Sequence, residues 1–227
     1  MLSFTWKGKN SFSDYGILIS QRPPISKAER NIEEIEIPGR NGDLTIDYNT
    51  YKSITIPLEC TLSDGNYLDE IKVWLDGFDK LILSWQEDRY YNAKSVSGID
   101  IEQSIEIYGD FPIIFKAQPF GYSISNDLIT LVSQGTVFNP GTINSKPVIK
   151  VFGTGSIVLN INSTVINLTN VSGYVTIDSE LVDAYKDTLL KNTDMAGNFQ
   201  ELIPGNNTIS WSGTVTKIEI TPNWRWL

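Results

Sequence analysis

The chain has no histidine and a single cysteine among 227 residues. Without histidine there is no His-dependent catalytic triad, no histidine metal ligand and none of the commonest general base near neutral pH. One thiol, Cys60, makes neither an internal disulfide nor a multi-cysteine zinc site. Residues 1–10 lack the apolar stretch of a signal peptide, and no segment approaches the roughly 18 continuous apolar residues of a transmembrane helix. The expectation is a soluble protein made in a cytoplasm. Positive charge is also short: 18 Lys and Arg stand against 27 Asp and Glu, a net charge of -9. That balance counts against a sequence-independent grip on nucleic-acid phosphates.

What is present is an ordinary globular composition, 41% hydrophobic and 20% charged, with a length that fits one or two domains. The main pattern has period two. Ile54, Ile56, Leu58, Cys60 and Leu62 alternate with Thr55, Pro57, Glu59 and Thr61, which describes a half-buried strand with Cys60 on its core side. Pro57 places that strand at an edge or a bulge. Ile99, Ile101, Ile105 and Ile107 alternate with polar residues in the same way, ahead of Phe111-Pro112-Ile113-Ile114-Phe115. One helix is expected, with Tyr67, Leu68, Ile71, Trp74 and Leu75 on its apolar face, Asp64 or Asn66 at its N-cap and Gly77 beyond its end.

A long hairpin is expected where Ile35 and Ile37 lead through Pro38, Gly39, Arg40, Asn41, Gly42 and Asp43 into Leu44, Ile46 and Tyr48. Glu34, Glu36, Thr45 and Asp47 are its outward positions. Acidic residues thin out near residue 118: 19 acidic and 12 basic residues lie up to it, 8 and 6 beyond. Past a connector with an apolar stretch at 128–132, short strands follow at 148–152, 157–161, 165–168 and 215–220, separated by Gly, Asn and Ser. The segment 183–190 reads equally as helix or strand. Two domains are therefore expected, 1–138 and 139–227.

Sites of chemistry are scarce. Glu34 with Glu36 and Asp43 with Asp47 share an exposed hairpin face without a desolvated pocket, so they read as surface rather than as an acid and base pair. Gly153-Thr154-Gly155-Ser156 is no phosphate loop and reads as a turn. Asp178, Glu180 and Asp183 lack the spacing and glycine of a calcium loop. The sequons opened by Asn162, Asn167, Asn170 and Asn206 read as polar β-turn positions. No catalytic residue, metal site or cofactor site is assigned. Among six tryptophans, Trp224 and Trp226 flank Arg225 on one face of a terminal strand that packs inward or meets a partner, and they are the best exposed candidates.

Read in order, the motifs resemble the distal tail proteins (Dit) of long-tailed siphophages, subunits of the phage baseplate hub. The resemblance is carried by Phe4-Thr5-Trp6-Lys7-Gly8-Lys9-Asn10-Ser11 with Tyr15-Gly16-Ile17, and by Ile37-Pro38-Gly39-Arg40-Asn41-Gly42-Asp43. It continues through Phe115-Lys116-Ala117-Gln118-Pro119-Phe120, Asn139-Pro140-Gly141-Thr142 and Lys146-Pro147. Ile177-Asp178-Ser179-Glu180 and Leu202-Ile203-Pro204-Gly205-Asn206-Asn207 complete it.

The resemblance implies a mainly β protein: an N-terminal β-sandwich with one α-helix and a long β-hairpin, then a C-terminal galectin-like β-sandwich. It implies a homo-hexameric ring between the tail tube protein and the tail-associated tip protein, with receptor-binding proteins docked outside. DNA would pass through the ring without specific binding, and there would be no membrane insertion. It implies no enzyme and no cofactor, and places the protein in the virion tail. Galectin sugar sites characteristically use a histidine, which this chain lacks. The hairpin tip, Pro38 to Asp43 as quoted above, is the expected inter-subunit contact. The competing reading is a carbohydrate-binding β-sandwich module of a virion adhesion device, with a glycosidase-type enzyme third.

Overall fold

A computed structural model describes residues 1–63, 68–96 and 110–227. The chain is mainly β and forms two compact units, Met1–Ile124 with Leu227, and Ser125–Trp226. The expected strand at Ile99 to Ile107, and Asp64, Asn66 and Tyr67 of the expected helix start, lie outside the described residues.

The first unit contains β1 (Phe4–Trp6), β2 (Lys9–Asn10), α1 (Ser11–Tyr15), β3 (Ile17–Ile19), β4 (Arg30–Ile35), β5 (Leu44–Tyr51) and β6 (Ile54–Leu62). It continues with α2 (Leu68–Leu75), β7 (Phe78–Leu83), β8 (Arg89–Ser95) and β9 (Asp110–Ser123). Its main sheet has the order β2-β1-β7-β8-β9-β6-β3. The sheet curls until its ends meet: the Ile19 N–H donates to the Leu2 carbonyl at 3.0 Å, joining β3 to the chain entering β1. The enclosed core includes Phe4, Trp6, Ile56, Leu58, Cys60, Phe111, Ile113 and Phe115. The alternation of β6 is as the sequence predicts, since Ile54, Ile56, Leu58 and Cys60 are all buried. β6 pairs along its length with β9, whereas β3 reaches only Cys60, Thr61 and Leu62. Among the described residues Pro57 therefore sits where the strand has an open edge and needs no N–H on that side.

Ile71, Trp74 and Leu75 bury the inward face of α2, and Gly77 follows it with φ +88. A second helix, α1, was not expected from periodicity, because five residues are too few to display one. It is set by its ends: the Asn10 side chain accepts from the Phe12 and Ser13 N–H groups, and Gly16 closes it in the left-handed region at φ 67.

The second unit contains β10 (Ile129–Leu131), β11 (Gly135–Asn139), β12 (Val148–Ile161), β13 (Thr164–Asp178), β14 (Asp183–Lys186), β15 (Leu189–Leu190), β16 (Met195–Ala196) and β17 (Gly205–Thr221). The order is β10-β17-β12-β13-β14-β15, with β11 also on β17 and β16 on β13. The division of the chain falls earlier than the expected 138/139, because β10 and β11 pair with β17 and so belong to the second unit. The ambiguous segment 183–190 supplies two strands.

The expected strands at 148–152 and 157–161 are one strand, β12, and Gly153-Thr154-Gly155-Ser156 is a bend within it rather than a turn between strands. Register shifts fall at Gly155/Ile157 against β13 and at Phe152/Gly153 against β17. Such bulges bend and twist a strand. Ile149 and Val151 before the bend, and Ile157, Leu159 and Ile161 after it, all enter the same core. A continuous ribbon thus folds over itself into a sandwich. Gly153 has no room for a side chain: a Cβ there would lie 2.1 Å from the Thr214 carbonyl oxygen. Of the four sequon asparagines, Asn162 occupies the β12–β13 turn, whereas Asn167 and Asn170 lie in β13 and Asn206 in β17.

Candidate functional site: an exposed hairpin arm

β4 and β5 form a two-stranded sheet of their own. Ile35 stands opposite Leu44, Glu34 opposite Thr45, Glu33 opposite Ile46 and Ile32 opposite Asp47. With period two, Ile35, Leu44, Ile46 and Tyr48 share one face with Glu33, and Ile32, Glu34, Thr45 and Asp47 share the other. The polar residues face outward as expected, but the apolar face is not covered by the chain's own core. Ile35, Leu44 and Tyr48 are 38, 39 and 50% exposed. An isolated two-stranded ribbon is marginal in water, and uncovered apolar residues together with two strand edges that pair with no other strand among the described residues mark a surface that pairs with something.

The arm is held at its base. Ala28 is buried in the first core, and Ile25 and Tyr51 pack against it. At the bulge between Arg30 and Ile32, the Arg30 guanidinium donates to Asp47 (Nη2 to Oδ2, 2.8 Å), to Asn49 Oδ1 (2.8 Å) and to the Tyr51 hydroxyl (3.4 Å). The Asn49 N–H donates to Asp47 Oδ1 at 2.8 Å, fixing Asn49 at φ 54. Asp47 is held below the usual carboxylate range, first by the Arg30 hydrogen bond and then by that Asn49 N–H. The Tyr48 hydroxyl donates to Glu33 across the ribbon.

At the other end, β4 stops at Ile35 and Ile37 opens a turn instead of continuing the strand. The Arg40 N–H donates to the Ile37 carbonyl at 3.1 Å, with Pro38 and Gly39 (φ +85) at the corner positions. Proline fixes the first corner and glycine accepts the positive φ at the second. Gly39, Arg40, Asn41, Gly42 and Asp43 are all exposed, and Gly42 also has a positive φ of +78. The tip is thus a shaped, solvent-facing loop at the end of an arm with an apolar flank.

The two terminal tryptophans separate. Trp224 is 9% exposed and belongs to the second core, and Trp226 is half-buried against that core. Of the two fates open to Trp224, packing is realised, which corrects its expected place among the exposed aromatics. Asp178 spends its Oδ1 on the Glu180 and Leu181 N–H groups at 3.0 and 2.9 Å, capping the turn after β13. Among the described residues no cluster of three or more Asp, Glu or Cys is placed to hold a metal, and no helix is long and apolar enough to cross a membrane.

Sequence reading missed one feature, a lysine-bearing sheet face formed by Lys80, Lys94 and Lys116. These residues are scattered over 37 positions, and only the pairing of β7, β8 and β9 makes them neighbours.

No family model and no curated protein matches the chain. Among solved structures, a protein of a phage adsorption apparatus shares its fold from end to end. It is the SPP1 Dit (gp 19.1) protein, described as a paradigm of hub adsorption apparatus in Gram-positive infecting phages, and 100% of each chain is covered at 12% identity with a TM-score of 0.73. The fold implied by the resemblance to distal tail proteins is the fold found.

Proposed function

We propose that this chain is a structural subunit of a phage tail hub, a homo-hexameric ring that joins the tail tube to the tip and receptor-binding apparatus and leaves a channel for DNA. The observation that carries the reading is the β4–β5 arm, whose apolar face the chain itself leaves uncovered, in a fold shared at full length with a hub adsorption protein. A hairpin reaching a neighbour is one half of a heterologous contact, and repeated around an axis such contacts close a ring. The net charge of -9 per copy suits a channel that repels DNA rather than retaining it. The subunit works by shape and strand pairing, without catalysis or cofactor, in the virion tail. Galectin-like by resemblance, the second unit serves as a scaffold for neighbouring baseplate proteins.

Size-exclusion chromatography with light scattering over a wide concentration range tests this. The reading predicts a mass near six times 25.5 kDa, reduced in Arg40→Glu. A single-copy mass at all concentrations would count against a ring that forms by itself.

A further inference from the structure

The arm tip holds the chain's single Asn-Gly pair, Asn41 with Gly42. An asparagine side chain is open to attack by the backbone nitrogen of the residue that follows it, which makes asparagine thermolabile. A folded protein blocks this attack in three ways: a side chain that crowds the nitrogen, a hydrogen bond that occupies its N–H, or hydrogen bonds that hold the carboxamide away. None of them operates at the tip. Gly42 has no side chain, and apart from its chain neighbours nothing lies within 4 Å of its Cβ position. Neither the Gly42 N–H nor the Asn41 carboxamide has a hydrogen-bond partner among the described residues. Both residues are exposed, and the Gly42 φ of +78 favours glycine at that position.

The fold restrains comparable asparagines elsewhere. Asn139 precedes Pro140, which has no N–H to attack with. Asn144 precedes Ser145, but the Ser145 N–H donates to the Leu202 carbonyl at 2.9 Å and the Asn144 Nδ2 donates to Glu201 at 2.9 Å. Asn162 precedes Ser163 with its carboxamide held at both ends: Nδ2 donates to Asn207 Oδ1 and Oδ1 accepts from the Thr208 N–H, both at 3.0 Å. Asn10, before Ser11, spends its side chain capping α1.

We infer that Asn41 is a site of spontaneous deamidation in the native subunit. The Gly42 nitrogen bonds to Asn41 Cγ, its proton passes to hydroxide, and the Cγ–Nδ2 bond breaks to release ammonia, leaving a cyclic succinimide. Water then opens the ring at either carbonyl and gives aspartate or isoaspartate, with no change of oxidation state. Before the reaction Arg40 and Asp43 balance each other in the tip; afterwards the tip carries a net negative charge. In the isoaspartate product the main chain runs through the former side chain and lengthens by one carbon, so the shape of the turn changes along with its charge. The inference does not depend on the ring reading.

Peptide mapping by mass spectrometry tests it. The full chain is held for days at about pH 8 and 37 °C, native and in guanidinium chloride, with any assembled fraction separated from single copies beforehand. In native single copies the peptide containing Asn41 exchanges its carboxamide for a carboxylate at a rate within about threefold of that in the unfolded chain, whereas Asn144 and Asn162 react only after unfolding. Gly42→Ala, which sets a Cβ beside the attacking nitrogen, slows the tip reaction about tenfold with the circular dichroism spectrum unchanged. Native protein whose tip stays intact in every fraction while the unfolded chain reacts would show that the fold closes the site, and would overturn the inference. Deamidation of native Asn144 or Asn162 as fast as that of Asn41 would overturn it too, because the restraints named above would then have no effect. Protection confined to the assembled fraction upholds the inference and reports separately that assembly covers the tip.

Discussion

Trp6 and Trp74 hold each other by two reciprocal hydrogen bonds: the Trp6 indole Nε1 donates to the Trp74 carbonyl at 3.1 Å, and the Trp74 Nε1 donates to the Trp6 carbonyl at 2.9 Å. The pair fastens α2 to β1, and both side chains are buried. Trp6→Phe leaves the Trp74 carbonyl without its donor and opens space beside Phe115, whose ring centroid is 4.9 Å from that of Trp6. The expected loss is about 2–4 kcal/mol. Urea unfolding followed by circular dichroism measures it, and a loss below about 1 kcal/mol would contradict the role given to this pair.

In the second unit the bend of β12 depends on Gly153. Its Cβ position meets the Thr214 carbonyl oxygen at 2.1 Å and Ile157 Cδ1 at 2.8 Å. Gly153→Ala must separate β12 from β17, with an expected cost of about 3 kcal/mol. A lowered melting transition for the second unit is the readout.

Cys60 is buried on β6, and burial, followed by the charges of Glu59 and Asp110, pushes its thiol up to about 12. Native protein at pH 8 should resist iodoacetamide, with labelling limited by unfolding. The linkage has a definite sign. An unfolded thiol ionises near 8.5, so the folded state loses nothing below that pH and is progressively disfavoured from there toward 12. Cys60→Val should flatten the decline in stability between pH 8 and 11; an unchanged slope would assign that decline to other groups.

The base of the arm should respond to acid. The Asp47 pKa is depressed, so the Arg30 contact contributes fully above the unfolded value, about 3.9, and its contribution disappears as pH falls through the lower folded value. Backbone chemical shifts of β4 and β5 should therefore move toward unfolded values below about pH 4. Arg30→Ala should already show those shifts at pH 7. Shifts in the variant identical to wild type would mean that Arg30 does not organise the arm.

Local pattern made much of the fold legible. The alternation of Ile54, Ile56, Leu58 and Cys60 needs only neighbours in sequence, and the spacing of Ile71, Trp74 and Leu75 identifies α2 for the same reason. Asn10 and Gly16 bracket α1 with clear capping signals, but a five-residue helix has no period to detect. The Gly153 to Ser156 bend looks like a turn because glycine signals backbone freedom or close approach alike, and only β17 lying against it distinguishes the two. Other motifs behind the family resemblance are structural too: Asn139 donates to the Leu202 and Ile143 carbonyls, and Asn207 to those of Ile203 and Gly205. The arm was readable as a hairpin, whereas its uncovered apolar face was not, since sequence cannot tell which strands lack a neighbour. Trp224 was misplaced because alternation specifies a face without naming what lies on it.

Electron microscopy of the purified, assembled protein tests the central claim most directly. The account predicts end-on views of a closed ring with six repeats and an open centre, lost when the arm is reversed in charge. Single-copy particles at every concentration, or assemblies without a central opening, would contradict it.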